Sequence, residues 1–183
     1  MKLGIVVSGL IGAFVLVFAV LLVTPVGTGL FTALFPVGPV ATIDFAAIDE
    51  GRNGHRSLMC PTAAMCPARD DGTAIYDADL PRTKGAWAAA VKAERGMALV
   101  YSDDAVNQYT YLVRSGMWRM PDLITVQFVD QSDKRALMGR DDSRTTVLVY
   151  SRSLFRAIDL DGNSQRVRRL LAYLDSHLST YKR

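Results

Sequence analysis

The sequence predicts an α+β protein in which an antiparallel sheet of about four strands carries helices on one face, preceded by one N-terminal transmembrane helix. Three observations lead to this fold class. The segment Leu3–Ile43 has no ionisable side chain, whereas all 18 acidic residues and every basic residue except Lys2 lie beyond it. Four later stretches have the composition and alternation of strands. The C-terminal segment has apolar residues at helical spacing.

Residues 1–23 are predicted to be a transmembrane anchor. The run Leu3–Val23 consists mainly of Leu, Val, Ile, Phe and Ala, and a helix of this length rises roughly 30 Å, the hydrocarbon thickness of a bilayer. Pro25 is expected to end this helix. A cleaved secretory signal is the alternative, but a signal core is usually only ~7–15 residues long and ends at a small-x-small site, which this segment lacks.

The orientation follows from the basic residues on either side of the anchor. Lys2 precedes it, and the first base after it is Arg52. Because basic residues favour the cytoplasmic side, we expect the N-terminus inside. In a bacterium the protein would then be a single-pass protein of the inner membrane with its C-terminal domain in the periplasm.

Two further regions follow the anchor. Residues 24–43 are predicted to be an uncharged interfacial linker, because Pro36 and Pro39 interrupt an apolar stretch that is too short to span. Residues 44–183 are long enough for a single soluble α+β domain with its own core. Bases and acids nearly balance in this domain, so the sequence pI of about 9.0 does not indicate a nucleic-acid partner.

Cys60 and Cys66 are the two cysteines of the chain, and each is followed by proline. In an oxidising compartment they are expected to form a disulfide that closes a small loop. Free thiols, or a metal site completed by His55, are the alternatives. A metal site would need further ligands, and the spacing is not that of a zinc knuckle, so no metal and no cofactor are predicted.

The first part of the domain, Asp44–Arg82, is expected to be irregular, and a helix is expected over Lys84–Arg95. Alanine is the best helix former, and Gly96 stands where a C-terminal glycine cap belongs. The four predicted strands alternate or are rich in Tyr, Thr and Val, and they are Met97–Ser102, Asn107–Ser115, Leu123–Asp130 and Thr145–Ser153. Residues 139–142 are predicted to form the turn before the last strand.

The C-terminal helix has the clearest pattern. Its apolar residues recur at helical spacing, and they are Val167, Leu170, Leu171, Leu174 and Leu178. Asn163 and Ser164 are both suitable N-caps.

A polar cluster connects the last strand to this helix and supplies the candidate ligand-binding residues: Ser151, Arg152, Ser153, Asp159 and Asn163. Asp159 could pair with Arg152, and Asn163 could cap the helix. A purely structural role in satisfying the backbone of the loop is the alternative interpretation.

The same segment resembles the family called domain of unknown function 1499, whose sequences read Ser-Arg-Ser at a strand exit, then Asp-Leu-Gly-x-Asn, then Arg-Val into a helix. The matching residues here are Ser151, Arg152, Ser153, Asp159, Leu160, Asn163, Arg166 and Val167, with further similarity at Gln108–Thr110 and Met120–Ile124. The resemblance covers roughly Gly54–Leu178. Arg156 and Asp161 stand where the family has glycine. The resemblance implies a fold and a membrane-associated context but no reaction.

No motif in the chain indicates catalysis. The run Asp159–Asn163 lacks the glycine and glutamate positions of an EF-hand calcium loop. Ser151, His177 and Asp159 supply the residue types of a hydrolase triad, but no nucleophile elbow is present. No glycine-rich phosphate loop follows a strand.

The sequence therefore predicts a non-catalytic binding or assembly module at the membrane surface. Its expected partners are the membrane itself, through the N-terminal helix, and a lipid headgroup, an envelope polymer or a protein at the polar cluster. The alternative is an enzyme acting on an anionic envelope or lipid-like substrate, with Arg114, Arg119 or Arg152 binding the anion.

Overall fold

The structure is a computed structural model that describes residues 2–48, 56–114, 120–132, 143–155 and 162–182. The predicted turn at 139–142 lies outside these ranges, as do Asp159 and His55.

Two helices form the N-terminal part of the chain. Helix α1 spans Lys2–Val23, and after Thr24 a second helix, α2, spans Pro25–Leu34. Proline is compatible with the first position of a helix because the amide there needs no partner within the helix. The first helix therefore ends just before Pro25 and a second begins there, within the segment predicted to be an uncharged interfacial linker.

The predicted transmembrane anchor is wrong. Within the described ranges, no helix combines the length and the apolar character that a membrane crossing requires. This finding also overturns the predicted location in the bacterial inner membrane, because that location rested on the anchor.

Within its described residues the domain contains an antiparallel sheet of six strands rather than about four. The strands are β1 (Arg56–Met59), β2 (Ile75–Tyr76), β3 (Ala98–Asp103), β4 (Gln108–Arg114), β5 (Pro121–Asp130) and β6 (Thr145–Ser153). Their order across the sheet is β1-β6-β5-β4-β3, and β2 pairs with the other end of β6. The two extra strands lie in the region predicted to be irregular. They have four and two residues, too few for a recognisable alternation.

Helices α3 (Leu80–Ala93) and α4 (Gly162–His177) pack on one face of the sheet, which we call the helix face. Trp87 from α3 is 1 % exposed and meets Phe128 of β5 edge to face, with ring centroids 6.3 Å apart. Helix α3 begins before the predicted Lys84, because the Asp79 carboxylate caps it by accepting from the Arg82 amide at 2.9 Å. The α+β class and the single helical face agree with the prediction.

The opposite face of the sheet, which we call the cavity face, carries a second and smaller core. Its buried residues are Phe45, Leu58, Cys60, Cys66, Leu148 and Tyr150. Phe45 belongs to a 3-10 turn, Phe45–Ala47, that packs against this face. Cys60 and Cys66 form a disulfide, with their Cα atoms 6.1 Å apart, which confirms the predicted pairing.

Candidate functional site

Three of the predicted site residues meet where β6 ends and α4 begins. The Ser151 hydroxyl donates to the Asn163 side-chain oxygen at 2.6 Å, and the Asn163 amide donates to the Ser153 hydroxyl at 3.2 Å. Ser151 and Asn163 are completely buried. Asn163 is thus a bridge between the sheet and the start of α4.

An ion pair extends this network onto the neighbouring strand. The Ser153 hydroxyl donates to the Asp122 carboxylate at 2.5 Å, and the other carboxylate oxygen accepts from the Arg166 guanidinium at 3.1 Å. The side chains of Asp122 and Arg166 are only 7 % and 13 % exposed. The Arg166 guanidinium also lies 3.3 Å from the Asn163 oxygen, which closes the network.

The network consists of groups that satisfy one another. Asp122 already accepts from Ser153 and from the Arg166 guanidinium, so it could act as a base only by giving up its ion pair. Ser151 donates to a neutral amide oxygen, which cannot take its proton as a base would. The arrangement fixes the N-terminus of α4 against the sheet.

Arg152 lies apart from this network. Strand residues alternate between the two faces of a sheet. Arg152 is therefore on the cavity face, whereas its neighbours Ser151 and Ser153 are on the helix face. Its guanidinium lies over the Tyr150 ring, 5.6 Å from the centroid. Asp159, the predicted partner of Arg152, lies outside the described residues.

The alternative triad is not assembled. His177 is near the C-terminal end of α4, where its ring stacks on Tyr173 with centroids 4.4 Å apart. Ser151 contacts Asn163 at the opposite end of the same helix. Fourteen residues of helix separate these positions by roughly 20 Å.

A nine-residue segment, residues 35–43, runs across the cavity face, and we call it the strap. At its start the Phe35 carbonyl accepts from the Arg114 guanidinium at 3.1 Å, and the Phe35 ring meets Phe155 edge to face. At its end the Gln108 side chain bonds both backbone groups of Ile43, accepting from its amide at 2.7 Å and donating to its carbonyl at 2.8 Å. Gln108 therefore reproduces the pair of bonds that a neighbouring strand would make.

A cavity of about 530 Å³ lies where the strap ends. Its walls come from the strap and the 3-10 turn, from the loop closed by the disulfide, and from the cavity face of the sheet. Its apolar lining residues are Ile43, Phe45, Ala46, Ala64, Met65, Val106, Val129 and Leu148. Its polar lining residues are Thr42, Asp44, Gln108 and Gln127.

The polar side chains that line the cavity differ in how many hydrogen bonds they make within the protein. Gln108 is bound to the Ile43 backbone in both directions, and Gln127 donates to the Val106 carbonyl at 3.3 Å. The Asp44 carboxylate accepts from the Ala46 amide at 3.0 Å through one oxygen. Asp44 is the single ionisable residue among the described lining residues.

Sequence reasoning missed this cavity because its walls come from four separate parts of the chain. The apolar strap looked like part of an interfacial linker, and its contact with Gln108 joins residues 65 positions apart. One signal was present in the sequence. Gln108 and Gln127 are long polar residues inside strand patterns, and on a covered face such residues need partners from another segment.

Comparison with protein-family models, with curated proteins and with solved structures finds no match for this chain. The resemblance to the family called domain of unknown function 1499 stays a prediction.

Proposed function

We propose that this protein is a non-catalytic binding module whose ligand is a lipid-like small molecule held in the cavity on the cavity face. The observation that carries the proposal is the cavity itself: about 530 Å³, with eight apolar lining residues and four polar ones. Ligand sites typically have volumes of roughly 300–1,000 Å³ and few polar groups among apolar walls.

The position of the cavity supports a binding role. Its floor is part of the sheet, where Leu148 is 4 % exposed, and one wall is the disulfide loop. A rigid floor and a cross-linked wall lower the ordering cost of binding. Three residues of the predicted polar cluster, Ser151, Ser153 and Asn163, hydrogen-bond one another within the fold, so the cavity is the better candidate for a ligand.

The charge of the lining indicates the class of ligand. Asp44 places a negative charge at the cavity, and no base is present among the described lining residues. The nearest predicted anion-binding residue on β6, Arg152, lies four residues from Leu148, or roughly 13 Å along the strand. A ligand with an apolar chain and a neutral or cationic head therefore fits this cavity better than the anionic substrate of the alternative, enzymatic prediction.

The test is titration of the full chain with a neutral fluorescent apolar probe, N-phenyl-1-naphthylamine, in wild type and in Ala64→Trp. Ala64 is an exposed lining residue, so an indole there would fill the cavity without disturbing the core. The matched control is Ala63→Trp, one residue earlier in the same loop, exposed and outside the lining. We expect Ala64→Trp to lower probe affinity at least ten-fold and Ala63→Trp to leave it unchanged.

Equal binding by both tryptophan variants would contradict the proposal, because the probe would then bind elsewhere, for instance on the exposed apolar side chains of α1. The ligand class is tested by displacing the probe with decyltrimethylammonium or decanoate below their micelle concentrations. An exposed charge contributes about 0.2–1 kcal/mol, so the cation should bind up to about five-fold better than the anion. Asp44→Asn should remove this preference while keeping the cap on the 3-10 turn.

A further inference from the structure

Strand β3 is the outer strand at one edge of the sheet, and its outer side is not paired with any described strand. Three consecutive residues of this strand are exposed to solvent: Ala98, Leu99 (54 % accessible) and Val100 (42 % accessible). An exposed apolar edge strand presents a row of backbone donors and acceptors that can pair with another strand. This edge thus has both the hydrogen-bonding groups and the apolar side chains of an interface.

The charges at the two ends of β3 are opposite. Arg95 lies just before the strand, is exposed and has no ion pair with a described residue. Asp104 lies just after it and is exposed, and its carboxylate accepts from the Tyr109 hydroxyl at 2.7 Å. If two copies of β3 run antiparallel, the basic end of each lies beside the acidic end of the other. The strand is therefore electrostatically complementary to itself.

We propose that β3 pairs with β3 of a second copy of this chain, in an antiparallel two-fold arrangement that joins the two sheets into one. The register that places Met97 opposite Ser102 and Ala98 opposite Tyr101 of the second copy brings Arg95 and Asp104, which lie in the turns that flank β3, to the same end of the paired strands. Leu99 and Val100 of both copies then meet at the two-fold axis. The occupant of this edge is thus a second copy rather than an unrelated strand.

The irregularity in β3 is consistent with this register. Opposite residues in a two-fold antiparallel pair must share a face, and in a regular strand residues 98 and 101 would not. Here the register shifts between Leu99 and Tyr101, so that Ala98 pairs with Leu112 and Tyr101 pairs with Thr110 of β4. Leu112 and Thr110 are two residues apart and share a face, so Ala98 and Tyr101 share one as well.

The interface is small, because six residues of strand bury less than the roughly 1,200 Å² of a standard protein–protein contact. We therefore expect a weak dimer with a dissociation constant in the micromolar range. Sedimentation velocity of the full chain between about 1 and 300 µM should show a concentration-dependent monomer–dimer equilibrium. A chain that stays monomeric over this range would overturn the proposal.

Charge reversal tests the register. Arg95→Glu and Asp104→Lys should each weaken dimerisation about five-fold or more, since each places like charges together twice in the dimer. In the double variant the acidic residue is at position 95 and the basic residue is at position 104. Opposite charges then face each other across the interface again, so this variant should dimerise like wild type. Lys92→Glu, an exposed charge on α3, is the matched control and should have no effect. Single variants that match wild type, or a double variant as weak as the single ones, would refute this register.

A second measurement does not depend on charge. In the variant with both Met97→Cys and Ser102→Cys, mild oxidation should yield a covalent dimer, because these residues face each other across the proposed interface. Five residues of strand hold them roughly 16 Å apart within one chain, too far for an internal bridge. The matched controls are Met97→Cys alone and Ser102→Cys alone, which should cross-link at least ten-fold more slowly, because in this register the two copies of each cysteine are five residues of strand, roughly 16 Å, apart. Equal rates for the double variant and the single ones would also overturn the proposal.

Discussion

Tyr76 shows how one buried hydroxyl connects two elements. Its side chain is fully buried, and its phenol donates to the Asp175 carboxylate on α4 at 2.6 Å. Lys182 donates to the other oxygen of Asp175, also at 2.6 Å. Burial first, and then the bond to Asp175 and its charge, raise the pKa of the Tyr76 phenol well above its ordinary value. Strand β2, which has only two residues, is held to α4 by this contact.

We predict that deprotonation of Tyr76 lowers the stability of the protein at alkaline pH. Its pKa is raised in the folded state, so its contribution is complete below the unfolded pKa of about 10 and is lost as the pH rises above that value. Each such group should lower the free energy of unfolding by about 1.4 kcal/mol per pH unit above 10. Burial raises the pKa of Tyr111 as well, so two groups contribute in wild type.

Urea denaturation at pH 8, 10 and 11 measures this effect. Tyr76→Phe should cost about 2 kcal/mol at pH 8, because a hydrogen bond to a charged group is lost, and its stability should fall less steeply above pH 10. Parallel pH dependences in wild type and Tyr76→Phe would contradict the assignment.

The polar network at α4 is predicted to be a stability device rather than a binding site. Asp122→Asn would leave the Arg166 charge nearly buried without its carboxylate, which should cost about 3 kcal/mol. Adding Arg166→Gln should restore part of that loss, so a double-mutant cycle by chemical denaturation would show coupling of at least 1 kcal/mol. Additive losses in the cycle would show that the two side chains do not interact in solution.

At the scale of elements, the secondary structure could be predicted wherever a segment has its own regular alternation of apolar and polar residues. The starts and ends of β3, β4, β5 and β6 lie within about two residues of the predicted ones, because long alternating runs record which side is buried. The short strands β1 and β2 were missed. Both owe their conformation to β6, whose paired residues lie 69–96 positions later, as in the pairing of Ser57 with Ser151.

The disulfide loop, residues 60–66, stabilises the fold and also forms one wall of the proposed ligand cavity. Replacing Cys60 and Cys66 together by alanine opens a loop of seven residues, and the loss of chain constraint should lower the free energy of unfolding by about 2 kcal/mol. Because Ala64 and Met65 line the cavity, the same variant should bind the neutral probe several-fold more weakly. Unchanged affinity in a folded double variant would show that the loop is not a functional wall.

At the scale of the whole molecule, the strap is what joins the N-terminal helices to the domain. The sequence predicted a division at residue 44, yet Phe35, Thr42 and Ile43 all contact the sheet or its loops. Thr42 donates to the Asp103 carboxylate at 2.5 Å and contacts the Tyr101 hydroxyl at 2.8 Å. A hydropathy pattern could not reveal this, because apolar residues that cover a sheet look the same as those that meet lipid.

Gln108 should therefore control how firmly the strap is held. Gln108→Ala removes both bonds to the Ile43 backbone and leaves a gap under the strap, so we expect a loss of about 2 kcal/mol and faster hydrogen exchange of the Ile43 amide. Gln127→Ala is the matched control, since Gln127 pairs with Gln108 across β4 and β5 and bonds Val106 instead. It should leave the Ile43 amide protected. If both alanine variants speed that exchange equally, the strap is held by general packing rather than by Gln108, and the end of the strap would not be a fixed wall of the cavity.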